Sequence, residues 1–313
     1  MYRVIPMTAV AVQACGLLLS QRPVRREYSH ASSPVSAGIP HLNGASWQAG
    51  SKPRRLDGMK RILIALMSAV LTGLCLPAEG QEEEAIEAYM SGNYPAALAR
   101  TANAPDADSR AFAARILLAE AISQNGQPPA ALLQDALAEA NQALSRQPGH
   151  IEARLQKAIA LSLLSRPMSA GEVRRSGFGS EARDLAEGVL AEEPDNIYAH
   201  AFLAVWNAEV IRRGGTLGAL VMGASLDKAR RHYQAAVALA PGDAAIHWQW
   251  ARALAALNAK KYDAEIRAAL DAAQAAPVNS DLERIMQARA GLLKQVLETD
   301  GTGAAEARAL DML

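Results

Sequence analysis

Four prolines, Pro148, Pro194, Pro241 and Pro277, each end an alanine- and leucine-rich segment, and the residues at fixed distances from them match. Twelve positions before them stand Ala136, Ala182 and Ala229, with Glu265 as the exception. Five before stand Ala143, Val189, Ala236 and Ala272, and four before stand Leu144, Leu190, Val237 and Ala273. Ten after the first three prolines the residue is Ala158, Ala204 and Ala251. Small residues at fixed helical offsets let two helices approach closely while larger neighbours fill the seam. Proline has no N–H to continue a helix, so it marks the turn into the next unit. Alternation of β-branched residues is missing between Gln81 and the end of the chain, which predicts an all-α body.

The series resembles the tetratricopeptide repeat, a helix–turn–helix unit of about 34 residues that closes with the same alanines, the alanine–leucine pair and the proline. Gly92-Asn93-Tyr94-Pro95-Ala96-Ala97-Leu98 resembles the inner turn of that repeat, with Gly92, Tyr94 and Ala97 in register. The likeness extends over most of residues 82–297. It implies a right-handed α-solenoid of antiparallel helix pairs, with about five pairs and a closing helix. The pairs are expected to begin near Glu82, Ser109, Ile151, Ile197 and Ala244, the closing helix to run from Ser280 to about Glu298, and residues 299–313 to form a flexible tail. The chain departs from the family in two ways. Its proline spacings are 46, 47 and 36, with the excess in Ser165–Gly179 and Gly214–Ala224. The family's aromatic residues of the first helix are mostly replaced, and His200 and His247 stand in the tryptophan place.

Charge is distributed unevenly. Residues 1–58 carry seven Lys/Arg against two acids, residues 59–80 two against one, and residues 81–313 carry 23 against 29, a net of −6. A mildly acidic body is a poor electrostatic partner for nucleic acid. Met59-Lys60-Arg61, the uncharged run Ile62 to Leu76 and the small residues Ala78 and Gly80 read as a secretory signal peptide over 59–80, with cleavage before Gln81 or after Ala78. Residues 1–58, rich in Ser, Pro, Gly and Arg, are then a disordered leader upstream of a start at Met59, or an organellar transit segment. Cys15 and Cys75 both precede Gln81, so the body has no thiol and no disulfide. Leu74 before Cys75 is too bulky for lipoprotein processing. The expected location is periplasmic or secreted, with no membrane span in the mature form.

Chemistry is sparse in the body. His200 and His247 are equivalent repeat positions, but no Cys or acid joins them at ligand spacing, so neither a metal nor another cofactor is expected. Ser180 reads as the N-cap of a helix over 181–193 and Ser225 as the cap of the next inner helix, rather than as nucleophiles. No catalytic residue is assigned, and the chain is not read as an enzyme. Glu172-Val173-Arg174-Arg175-Ser176-Gly177 echoes Glu209-Val210-Ile211-Arg212-Arg213-Gly214, so each insertion carries an arginine pair. Arg174, Arg175, Arg212 and Arg213 either gather an anionic partner or end their own helices, where a cation meets the negative end of the dipole. Leu217 to Met222, between Gly215 and Gly223, either packs over the body or forms a docking patch. By offset from the family's concave groove, the partner-binding residues are Glu152, Gln156, Tyr198, Phe202, Trp248, Gln249 and Arg252.

Two functions from different classes are consistent with these features. One is a non-enzymatic protein–protein interaction scaffold of the bacterial cell envelope, holding a protein or peptide in its groove. The other is a periplasmic small-ligand or transport accessory protein whose insertions close a pocket. An open groove belongs to the first, and a deep apolar cavity under Leu217–Met222 to the second.

Overall fold

The computed structural model describes residues 78–102 and 104–312, with side chains from Glu82 onward. The leader, both cysteines, the run Ile62–Leu76 and the expected cleavage points lie outside the residues whose side chains are described. Thirteen α-helices and no strand occur among the described residues. They are α1 (Ala78–Met90), α2 (Tyr94–Thr101), α3 (Ala107–Ser123), α4 (Ala130–Arg146), α5 (Ile151–Leu164), α6 (Ala170–Ser176), α7 (Phe178–Glu192), α8 (Ile197–Met222), α9 (Leu226–Leu239), α10 (Ala244–Asn258), α11 (Asp263–Ala275), α12 (Asp281–Thr299) and α13 (Gly301–Asp311).

The prolines act together with the residues just beyond them. Two positions past Pro148, Pro194 and Pro241 stand His150, Asn196 and Asp243, and each caps the next helix. Asn196 Oδ1 accepts from Ala199 N at 3.0 Å, and Asp243 Oδ1 accepts from Ala245 N at 2.9 Å. His150 caps with Nδ1, which accepts from Ala153 N at 3.2 Å, and therefore donates from Nε2 to Asp108 at 2.8 Å. These caps satisfy N–H groups that the first turn of a helix leaves without partners. His200 and His247 do related work. Nε2 of His200 donates to Pro194 O and Nε2 of His247 to Pro241 O, both at 2.9 Å. Each ring thereby ties its helix to the preceding turn.

The repeated alanines are the contact surfaces between helices. Ala136, Ala143, Ala158, Ala182, Ala204, Ala229, Ala236 and Ala251 are all buried. In α11 the buried set is Ile266, Ala269, Leu270 and Ala273, while Glu265 and Ala272 are only half-buried. The register to Pro277 is thus displaced by one residue. That displacement frees Glu265 to take a bidentate bond from Arg230, at 2.6 and 3.0 Å.

Neighbours in sequence pack together: α3 on α4, α4 on α5, α8 on α9 and α10 on α11. A second set of contacts skips a helix, joining α3 to α5, α8 to α10 and α10 to α12. The expected flexible tail is a correction. Residues 301–311 form α13, which packs on α10 and α12 and buries Ala305 and Ala309. The apolar positions Ala305, Ala309 and Met312 recur at helical spacing, and they outweigh the Gly-Thr-Gly start that reads as a fraying end. Ser180 is a second correction. Helix α7 begins three residues earlier than expected, Gly177 in left-handed conformation is its N-cap, and Ser180 Oγ donates to Gly177 O at 2.9 Å. Ser225 caps α9 as expected, accepting from Lys228 N at 3.2 Å.

Both insertions are helical. The first makes α6, opened by a capping box in which Ser169 and Glu172 satisfy each other's backbone N–H. The second continues α8 past a break at Gly215, where φ is 60° and ψ is −160°. Only glycine holds that conformation without strain. The helix resumes to Met222 and stops at Gly223, again left-handed.

Candidate functional site

A cavity of about 520 Å³ lies between the two insertions and the helices they interrupt. Helix α5 contributes Ile159 and Leu163, α6 contributes Val173 and Arg174, and α7 contributes Gly179 and Ala182. Helix α8 lines it over five turns, from Phe202 and Trp206 through Val210 and Arg213 to Leu217 and Met222. Gln249 and Arg252 of α10 and Ile122 of α3 complete the wall. The apolar end is held tightly. Trp206 Nε1 donates to Gly179 O at 3.0 Å, and a side chain on Gly179 would stand 3.3 Å from Val173 and 3.6 Å from Met222. Glycine at 179 therefore lets both insertions meet over α7.

The polar part of the wall is mostly basic. Among the described residues Glu209 is the one carboxylate on the wall, and it is shared. Arg252 Nη1 donates to Glu209 Oε1 at 3.3 Å, and Arg212 donates to Oε2 at 2.7 and 2.9 Å. Burial alone would raise the Glu209 carboxyl, but Arg252, Arg212 and Arg166 outweigh it and hold it below the ordinary value. Arg166 and Arg213 bond only backbone carbonyls among the described residues. Arg213 takes Ser165 O at 3.1 Å and also Met168 O, while Arg166 takes Leu310 O at 3.3 Å. Arg174 has no ion-pair partner among the described residues. Burial, with the charges of Arg252, Arg212 and Arg213 outweighing Glu209, presses the Arg166 guanidinium down to about 9.

The arginine pairs divide their work. Arg174 and Arg213, one from each pair, face the cavity. Arg212 turns to Glu209, and Arg175 lies exposed beside Gly171. Arg213 does end a helix, but that helix is α5, through Ser165 O, and not its own.

The seven groove positions lie inside. Glu152, Gln156, Tyr198, Phe202, Trp248, Gln249 and Arg252 are all buried, with Gln156 and Trp248 at 0% exposure. As an open surface for a protein partner they are corrected by that burial: Trp248, Gln249 and Arg252 lie in a run of thirteen buried residues of α10, Ala244 to Ala256, on which α12 and α13 pack, and the other four are buried on α5 and α8. Phe202, Gln249 and Arg252 nonetheless reach the cavity wall. Glu152 pairs with Arg115 across α3 and α5, and burial pushes its carboxyl up to about 7 against that pull. Arg166 and Glu209, which matter most to the charge of the site, were not singled out as site residues from sequence. Glu209 stands in the echoed segment next to Arg212, but nothing local to Arg166 marks it, since its neighbours come from α8, α10 and α13.

His200 meets His232 at 2.9 Å, not His247. With Nε2 of His200 donating, its Nδ1 accepts from His232, and burial followed by the charges of His200, Arg231 and Lys228 lowers His232 to about 4. Among the described residues no group of three or more His, Cys, Asp or Glu is placed to hold a metal ion, and no helix is long and apolar enough to cross a membrane.

No protein-family model matches the chain, and no curated protein matches it.

Proposed function

We propose that the chain is an exported ligand-binding or transport accessory protein of the bacterial cell envelope. In it, degenerate tetratricopeptide-like helix pairs, stacked as a solenoid, have had their groove turned into a pocket by two insertions. The cavity under Leu217–Met222 carries this reading. Its volume falls within the roughly 300–1,000 Å³ typical of small-molecule sites, and it combines an apolar wall with a few convergent polar groups. The burial of the groove positions on α5, α8 and α10 supports it further, since a peptide has no access to Trp248. The helix-pair reading rests on the buried alanine series and on the cap two residues past each of the first three prolines.

Native mass spectrometry of the full chain, purified from its own host without denaturant, tests the pocket. A small molecule should travel with the protein and be lost on Val210→Trp or Val173→Phe, which fill the cavity from α8 and α6. Retention of the same mass in both variants, each shown by melting to be folded, would place the ligand elsewhere. The scaffold reading has one observation of its own, the exposed Leu217, Leu220 and Val221 on the last turns of α8. Crosslinking from those positions in the envelope would show a protein there if that face docks a partner.

A further inference from the structure

We infer that the cavity takes a single-chain amphiphile with an anionic headgroup, its hydrocarbon between α5, α7 and α8 and its charge against Arg166 and Arg213. This rests on the pocket reading above and names the ligand class. Among the described residues the wall carries four arginines, Arg166, Arg174, Arg213 and Arg252, against the single carboxylate of Glu209. Glu209 is already taken by Arg252 and Arg212, so three guanidiniums at the cavity have no carboxylate partner among those residues. Two helix C-termini offset part of this: Arg213 bonds the end of α5 and Arg166 the end of α13. Each such end is worth roughly half a negative charge, about one charge together, so with Glu209 they leave close to two of the positive charges of Arg166, Arg212, Arg213 and Arg252 uncompensated.

Arg166 and Arg213 are half-buried beside an apolar wall and have already lost part of their hydration, so an anion that pairs with them there is bound more strongly than it would be in open water. Arg166 commits Nη2 to Leu310 O and keeps its other donors for a headgroup, and guanidiniums bind carboxylates and phosphates in matched pairs of hydrogen bonds. The rest of the wall asks for hydrocarbon. Ile159, Phe202, Trp206, Val210, Leu217 and Met222 present apolar side chains along α5 and five turns of α8. A small hydrophilic anion would leave that wall against water, and a neutral hydrocarbon would leave the arginines unpaired. An anion with a chain satisfies both.

Calorimetric titration of the full chain with monomeric octanoate, decanoate and dodecanoate, dodecyl phosphate, dodecan-1-ol, dodecylamine and acetate tests the class. Affinity should rise roughly fourfold for each added methylene until the cavity is full, as expected for burying one CH₂. Dodecan-1-ol should bind at least tenfold more weakly than dodecanoate, and dodecylamine should not bind. The ranking of dodecanoate against dodecyl phosphate separates a fatty-acid source from a phospholipid one. The double variant Arg166→Gln/Arg213→Gln should lose tenfold or more for the anions and leave dodecan-1-ol unchanged. Equal binding of alcohol and carboxylate would overturn the anionic class while leaving the pocket intact. Binding of acetate with no gain from chain length would overturn the amphiphile. If nothing binds and Val210→Trp carries the same small molecule as the unaltered chain, the pocket itself fails. Should the double variant not fold, the headgroup comparison on the unaltered chain decides alone.

Discussion

At the scale of single residues, burial and hydrogen bonding separate side chains that look alike in sequence. Trp248 is fully buried and its Nε1 has no hydrogen-bond partner among the described residues, whereas Trp206 spends its N–H on Gly179. Trp248→Phe should therefore cost only about 1–2 kcal/mol, the cavity left by the smaller ring, while Trp248→Ala should cost about 3–5 kcal/mol. Urea melts of the two variants check this, and equal losses would mean that the indole N–H is bonded after all. His232 sets a pH dependence. Its ordinary value is 6.5 and the folded chain holds it near 4, so the folded state binds fewer protons than the unfolded one between those values. The stability it contributes is complete above pH 6.5 and is lost as pH falls through 4. Because the ring is partly exposed, the loss should be on the order of 1 kcal/mol, and His232→Phe should flatten the slope in melting temperature between pH 7 and 4.

At the scale of elements, helix starts are local and helix continuations are not. The caps at His150, Asn196, Asp243, Ser225 and Ser280 act within four residues of themselves, so sequence places those starts well. The second insertion is different. After Arg212-Arg213 the glycine pair reads as a stop, yet the chain bends at Gly215 and resumes helix over the cavity. Gly215→Ala should cost about 1–3 kcal/mol, because alanine cannot hold φ 60° with ψ −160° without strain. It should also redirect Leu217 and Met222, so affinity for a cavity ligand should fall together with the melting temperature. A variant that melts early but binds normally would detach that segment from the site. Helix contacts offer a second check. Ala204 is buried at the tight approach of α8, and Ala204→Trp should destabilise by about 1–3 kcal/mol or more in chemical denaturation.

At the scale of the whole body, one residue joins segments that are remote in sequence. Arg289 of α12 donates to Ile122 O at 2.9 Å and Gln124 O at 2.8 Å, the open carbonyls at the end of α3. Nearby, Gly92 in left-handed conformation passes so close to Asp281 that a side chain there would stand 2.7 Å from its carboxylate. Helix α12 is thereby tied to the end of α3 and to the turn between α1 and α2. Arg289→Met keeps the aliphatic stem and removes the bonds, and it should cost about 1.5–3 kcal/mol for hydrogen bonds to a charged donor. Hydrogen exchange should rise in α3 and α12 together. Faster exchange in α12 alone would show that the tie does not couple them.

The sequence by itself determined the helical class, most helix starts and which alanines lie at helix contacts, because periodicity, capping and proline geometry are read over a few residues. It also exposed the echo between the insertions, with Arg174 and Arg213 in it, and the position of Arg252, so that of the four wall arginines only Arg166 carried no local signal. Only the tertiary structure decided that the last residues form a helix packed on α10, and that the expected groove positions are buried. It alone brought Arg166 to Glu209 and the end of α13. Those groups are separated by 43 and 144 residues, and no local signal spans such distances. A charge imbalance in a cavity is a property of which helices meet, and their meeting depends on packing summed over the whole body rather than on any segment of it.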